Sequence, residues 1–442
     1  MKKCVAVLAT VLLVTVLFSC GKDYGENDLN NENIVDTLES DKTTITLGII
    51  DIHPSFEIDY TMQYVSMFNR ENAYYEIEVT KYTGDDLQRL RTELMNGRGP
   101  DLIYSFYFED SVFMPLMDRG LLVDLWAYID ADPDINREDY FQNILHAMQS
   151  PNGSLQIVAN QFAIPTIISI PEIIDSSDSF TTSRFLDLMR NALDIGVTYP
   201  MGEFITGSEL LIFTINHIDM GIIDLVGGVS DFESKAFYDL LELASIMPAE
   251  YALTPDSSLS ARMINGDQLF RGDNISNPYI IAKYEALLRE FTILGFPSDE
   301  GGTLGAVMMA NIGINANSSY QDAAWSFVRM YLLSVSNTEI YSGLPLRIDL
   351  FDEQVTDAMR VVEVAWILKD GGFEIEMPPL TEKGAEQLRE IVENVSFISR
   401  PNDTIANIVM EELPSFLAGN RTIEEVVRVI QNRVQIYLHE RS

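Results

Sequence analysis

Cysteine is nearly missing from this chain: Cys4 and Cys20 are the two, and both stand within the first twenty residues. The remainder can form neither a disulfide framework nor a thiolate metal centre. Histidine is scarce as well. His53, His146, His217 and His439 lie far apart, with no HExxH or paired spacing, which disfavours a zinc receptor or metalloprotease. A P-loop, a GxGxxG turn and a GxSxG elbow are all absent, so no catalytic residue, metal ligand or cofactor site is expected. Basic residues are the third shortage: 29 Lys and Arg face 67 Asp and Glu, a formal charge of −38. A field of that sign repels nucleic acid and anionic head groups, which excludes both as partners. With so many carboxylates, any pair near in sequence says nothing about glycoside chemistry without geometry.

Long apolar runs are also few. Val5 to Phe18 is one, preceded by Lys2 and Lys3 and closed by Leu17-Phe18-Ser19-Cys20. It is short for a spanning helix, which needs about 20 residues, and it has the layout of an export signal. The closing tetrapeptide resembles the lipobox of bacterial lipoproteins, which makes residues 1–19 a removable leader and Cys20 the lipidated (palmitate-bearing) first residue of the mature chain. The implied location is the cell membrane, lipid-anchored and facing outside. Loss of Lys2 and Lys3 with the leader deepens the net charge by two. Residues 20–43, rich in Asn, Asp and Glu, cannot bury enough surface to order themselves and read as a tether.

The folded part opens with the β-branched strand Thr44–Ile50. A loop with Asp51 and His53 follows, then a helical stripe over 56–69 and a strand at Tyr75–Val79, a βαβ unit. Thr83 is placed to cap a helix carrying Leu87, Leu90 and Leu94. Gly99-Pro100-Asp101 turns into a buried strand, 102–108, which ends at Glu109 and Asp110. Strand and helix alternate, which predicts a mostly parallel α/β sheet with ligands beyond the carboxyl ends of its strands. The apolar stretch 155–170 is interrupted by Asn160-Gln161 and Pro165. Residues 171–290 read as mostly helical, 291–296 as a strand, 305–315 as an apolar run and the segment beyond 347 as helical. Its last helix begins with a Thr422-x-x-Glu425 capping box. At this length two cores are the default, since single cores stop growing near ~250–300 residues. Trp325 and Trp126 read as core residues; Trp366 shares a helical stripe with Val355, Met359 and Val362.

Several segments taken together resemble the family 1 extracellular solute-binding proteins, the receptors that feed sugars and related solutes to ABC importers. They are Leu94 to Ile103, Gly120 to Leu125, Asn152-Gly153, Met263 to Phe270, Gly313 to Ser318 leading into Ala323 to Phe327, Gly343 to Arg347, and Glu411 to Glu440. The resemblance covers nearly the whole mature chain. It implies a periplasmic-binding-protein-like fold: two α/β lobes, a three-crossing hinge near 155–165, 295–303 and 341–347, and an interlobe cleft. The lobes would be 44–158 with 297–344, and 159–296 with 345–442.

The same resemblance puts ligand contacts in the loop after Pro100-Asp101, at Phe106, Tyr107 and Glu109, although alternate rings there also suit a core strand. Gln161 and Phe162 lie at the first crossing, where a hinge bond alone would equally explain the amide. Asn274, in a loop expected at 273–276, and Asp51 after the first strand complete the set. The tryptophan common in that loop of the family is absent here. The implied protein is a monomeric lipid-anchored receptor, not an enzyme, delivering a small polar solute, most simply a carbohydrate, to an ABC permease by hinge closure. A ligand-presenting sensor of the same fold and a surface glycan hydrolase are the competing readings.

Overall fold

The computed structural model describes residues 42–50, 58–108, 110–175, 178–202, 205–217, 222–224, 227–250, 259–334, 343–361, 363–367, 373–399 and 402–441. Cys20, the leader, the tether, Asp51 and Glu109 lie outside them. The β-branched run forms β1 (Thr43–Ile50), which buries Ile45, Leu47 and Ile49; α1 (Ile58–Glu71) and β2 (Tyr75–Tyr82) complete the expected βαβ unit. Helix α2 (Leu87–Met95) packs through Leu90 and Leu94, but Thr83 makes no capping bond, because a 3-10 turn intervenes.

The Gly-Pro-Asp turn then ties down β3 (Leu102–Tyr107). Asp101 accepts hydrogen bonds from the Thr46 N–H at 2.8 Å, the Thr46 hydroxyl at 2.7 Å and the Ser318 hydroxyl at 2.6 Å. That part of the motif is structural: it staples the strand ends away from the carboxyl-terminal edge. Helices α3 (Asp110–Asp118), α4 (Trp126–Ala131) and α5 (Gln142–Met148) precede the long strand β4 (Val158–Ser169).

Beyond β4 come α6 (Thr182–Asp194), α7 (Gly207–His217), the two-residue strands β5 (Ile223–Asp224) and β6 (Val229–Ser230), α8 (Lys235–Ile246) and α9 (Leu259–Asn265). They are followed by β7 (Arg271–Ile275), α10 (Tyr279–Leu288) and β8 (Thr292–Gly295), then β9 (Leu304–Ile314), α11 (Gln321–Leu333) and β10 (Leu344–Pro345). The chain closes with α12 (Ile348–Ala358), β11 (Glu363–Ile367), β12 (Phe373–Met377), α13 (Glu382–Glu393), β13 (Val395–Ile398), α14 (Asp403–Leu417) and α15 (Ile423–Arg441). The capping box of α15 forms: the Thr422 N–H donates to Glu425 at 2.9 Å and the Glu425 N–H to the Thr422 hydroxyl at 3.3 Å.

Three expectations change. The segment 273–276 is not a loop, since most of it lies in β7. The stretch after 347 is not all helix: β11 and β12 pair as an antiparallel hairpin and β13 joins β9, which puts Trp366 on a strand. The sheet is mixed rather than mostly parallel. Its order is β10-β4-β9-β3-β1-β2, with β7 and β8 also on β4. β2, β1 and β3 run parallel, but β9 is antiparallel to both β3 and β4. The reason is connectivity: β4 and β9 carry the chain between two cores in opposite directions.

Those cores share β4. Up to Ile164 its buried residues pack with β1, β3, β9, α1 and α11; Ile167 joins the second core, built on α6, α7, α8, α14 and α15, and Ile168 a smaller cluster with α9 and α10. Each fully buried Leu, Ile or Phe on either side contributes about 1.5–3 kcal/mol. Helices α12 and α13 pack into the first core through Phe351, Leu388 and Val392. The return crossing from β8 to β9 requires Gly295, which has φ +67° and whose missing Cβ would lie 2.2 Å from the Thr303 carbonyl oxygen.

Candidate functional site

The parallel trio β2-β1-β3 sends its carboxyl ends to one edge, where β1 stops at Ile50 opposite Ser105 and β3 stops two residues later. Phe106 and Tyr107 are the last residues of β3. Phe106 points inward and is 6% exposed, while Tyr107 is 45% exposed; their rings meet edge to face at 4.9 Å. Strand alternation explains the split. Across the sheet, Tyr107 lies opposite Met309 of β9, and Met309 opposite Gln161 of β4. Directly opposed residues of antiparallel strands share a face, so Tyr107, Met309 and Gln161 form one row.

Gly343 sits against that row, and a Cβ there would lie 3.0 Å from the Met309 sulfur and 3.2 Å from the Gln161 Cβ. Its N–H donates to Gln161 Oε1 at 2.9 Å. The buried amide is therefore satisfied by the third crossing, as the hinge explanation expects. Phe162 corrects the expectation more firmly. It is 0% exposed and packs edge to face with Phe141 at 6.2 Å, so its ring belongs to the first core and has no face to offer a ligand. Asn274 is exposed on β7, opposite Pro165 of β4, on the far side of the switch between cores. The structure thus joins Tyr107 and Gln161 in a row, keeps Asn274 across the seam and assigns Phe106 and Phe162 to packing.

Sequence reasoning missed what holds the row in place. Ala310 of β9 has φ +62°, a left-handed conformation that costs a non-glycine residue about 1–2 kcal/mol. Both ladders skip it. β3 pairs Ser105 with Asn311 and then Tyr107 with Met309, and β4 pairs Ala159 with Asn311 and then Gln161 with Met309. The backbone groups freed by this kink are recovered by side chains. Asn311 Nδ2 donates to the Phe106 carbonyl at 3.2 Å and the Met308 carbonyl at 3.1 Å, and the Tyr331 hydroxyl donates to the Ala310 carbonyl. Tyr331 also reaches Asn160 Oδ1 at 2.8 Å, while Asn160 Nδ2 donates to the Tyr64 hydroxyl at 3.3 Å. Burial pushes the Tyr64 hydroxyl's pKa up, against the lowering effect of Asn160. The sequence signal was a polar residue inside an apolar run, Asn311 in Val307–Ile314. Ala310→Gly is expected to stabilise the fold by up to about 1 kcal/mol, because relief of the left-handed penalty outweighs glycine's greater chain entropy. Urea unfolding measures this, and a loss of stability would contradict the reading.

On the other side of the seam, Asp273 of β7 receives the Lys283 ammonium at 2.6 Å, the Tyr284 hydroxyl at 2.5 Å and the Asn274 N–H at 2.8 Å. Burial alone would raise its pKa; attraction to Lys283 and these hydrogen bonds outweigh it, and the carboxyl ends below its ordinary value. The polar turn after β7 also carries Asn277, whose buried Oδ1 has no hydrogen-bond partner among the described residues. Among the described residues no group of three His, Cys, Asp or Glu is gathered closely enough to hold a metal ion, and no helix is long and apolar enough to cross a membrane. A half-exposed ring at a strand end can stack on the apolar face of a neutral polar molecule.

No family model matches the chain, and no curated protein matches it by sequence. Solved structures do. An ABC substrate-binding protein from Listeria monocytogenes in complex with cycloalternan is similar at 15% identity and TM-score 0.52, over 90% of this chain and 100% of that one. The sugar-binding protein MalE from Xanthomonas citri is similar at 14% identity and TM-score 0.54, over 90% and 98%. The cyclic alpha-maltosyl-1,6-maltose binding protein from Arthrobacter globiformis is similar at 16% identity and TM-score 0.52, over 90% and 100%. At such identities the likeness establishes the fold: periplasmic-binding-protein-like, with α/β lobes linked by the crossings at β4, the β8–β9 turn and β10.

Proposed function

We propose that this chain is a carbohydrate-binding receptor that closes on an oligosaccharide and performs no chemistry on it. The observation that carries the reading is the likeness of fold over 90% of the chain to a substrate-binding protein in complex with cycloalternan and to a cyclic alpha-maltosyl-1,6-maltose binding protein. Tyr107 supports it, since a half-exposed ring suits the apolar face of a sugar, and amides and hydroxyls suit its edge. Closure follows if contacts from both sides exist only in the shut form, so that ligand binding shifts the population.

In the fuller form of the proposal the lobes are 44–158 with 297–344 and 159–296 with 345–442, α12 and α13 packing across the seam. Cys20 carries the lipid, the protein faces outside as a monomer, and an ABC permease takes the loaded form. Asp51, Glu109, Tyr107, Gln161 and Asn274 remain the proposed contacts, Gln161 through the hinge bond. A thermal-shift screen of oligosaccharides, with product analysis alongside, tests it. A saturable rise in Tm without products is expected; at a hundred times Kd the stabilisation is about 2.7 kcal/mol. Release of shorter glycans would instead favour a hydrolase.

A further inference from the structure

Ala310 is left-handed at a place where the residue count does not require it. Phe106 on β3 and Asn160 on β4 each stand alone between the pairs that flank Ala310, so no strand carries an extra residue and the kink is not a bulge. An extended Ala310 fits the same register with no slip on either side. The strained φ of +62° therefore persists only because neighbouring groups hold it. They are the Tyr331 hydroxyl of α11, which donates to the Ala310 carbonyl, and the Asn311 amide, which donates to the Phe106 carbonyl. Tyr331 and Asn311 are 2% and 1% exposed, so bulk water does not compete for these bonds.

The kink sits where the crossings meet. Asn160 of β4 takes the Tyr331 hydroxyl on Oδ1 at 2.8 Å, and its own carbonyl accepts the Leu346 N–H, just beyond β10, at 2.9 Å. β9 is the strand that returns from the second crossing, and Gly343 before β10 is bonded to Gln161. One residue along from Phe106, Ala310 and Asn160 lies the row of Tyr107, Met309 and Gln161.

We propose that Ala310 and Tyr331 form a latch: a two-state joint whose kinked form presents the Tyr107 row to the ligand and whose released form, with Ala310 extended, does not. Left-handed strain favours release and the side-chain hydrogen bonds oppose it, so the two forms are closely balanced. Motion of the third crossing against β4 reaches the latch through Asn160. Tyr331 is then a positioning residue. It touches no ligand and sets affinity through the fraction of chains in the kinked form. The effect on affinity rests on the receptor reading above; the two states of Ala310 do not.

Two measurements on the full chain test this. In ligand-free protein with 13C-labelled alanine methyls, the Ala310 signal is the one that Ala310→Gly removes. Tyr331→Phe should move that signal toward the range of extended strands, and an unmoved signal overturns the latch. The second measurement is calorimetry with cycloalternan. Tyr331→Phe should weaken binding about threefold to tenfold, the scale of one hydrogen bond. Adding Ala310→Gly, since glycine is at ease in left-handed backbone, should bring affinity back to within about twofold of wild type. Ala310→Val, whose branched side chain opposes that backbone, should weaken binding at least as much with Tyr331 intact. A Tyr331→Phe loss that Ala310→Gly leaves in place would make Tyr331 an ordinary packing residue and overturn the proposal. If cycloalternan binds none of these proteins, the receptor reading fails and the methyl signal alone decides the latch.

Discussion

Asp273→Ala is expected to destabilise the fold by about 3–5 kcal/mol, because it leaves the Lys283 ammonium partly buried without its counter-charge. Each side chain of this pair is only 19% exposed, so solvent screening relieves little of the loss. Tyr284 is fully enclosed, and its hydroxyl loses its acceptor in the same substitution, an unpaired buried donor of about 1–3 kcal/mol in its own right. Asp273→Asn, which keeps an acceptor for Tyr284, should lose clearly less. The pH dependence has a fixed sign. The folded carboxyl titrates below the unfolded one, so its stabilisation is complete above the ordinary value of 3.8 and fades as pH falls below that through the lower folded value. Urea midpoints at pH 7 and below pH 4 give both answers. A loss under about 1 kcal/mol at pH 7 would place the pair among ordinary surface ion pairs.

Tyr107→Ala is expected to weaken glycan binding about 30-fold, roughly 2 kcal/mol, the scale of an aromatic hot spot. The fold should tolerate it, since the ring is 45% exposed and its packing neighbour Phe106 is anchored elsewhere by the strand. Tyr107→Phe should retain most of the affinity if stacking dominates. Calorimetry on the wild type and both variants, with matched Tm values, separates contact from stability. Equal affinities in wild type and alanine variant would remove Tyr107 from the site.

Much of the architecture was legible because it rests on local signals. The β-branched run at Thr43–Ile50, the Leu90 and Leu94 stripe, and the Thr422-x-x-Glu425 box specify their elements without reference to distant residues. The mixed direction of the sheet was not legible, because strand periodicity carries no polarity; only the pairing of β9 with both β3 and β4 reveals it. The β11–β12 hairpin was overlooked although Asp370-Gly371-Gly372 between the two runs is a turn signal. The helical spacing of Val355, Met359 and Val362 carried the reading past it. At the site, the sequence offered both Phe106 and Tyr107 against a core-strand alternative, and burial separates the two rings: Phe106 is packed and Tyr107 is half exposed. Phe162 failed because an aromatic at a crossing looks the same in sequence whether it faces a cleft or a core. Asn311 shows the converse: the rule that flagged Gln161, a polar residue in an apolar run, applied equally to it.

The central claim is that two lobes shut on a glycan, and small-angle scattering of the full chain tests it most directly. On adding an oligosaccharide that raises Tm, the radius of gyration should fall, and Tyr107→Ala should shift the transition to higher ligand concentration. Binding of that glycan with an unchanged radius of gyration would contradict the account.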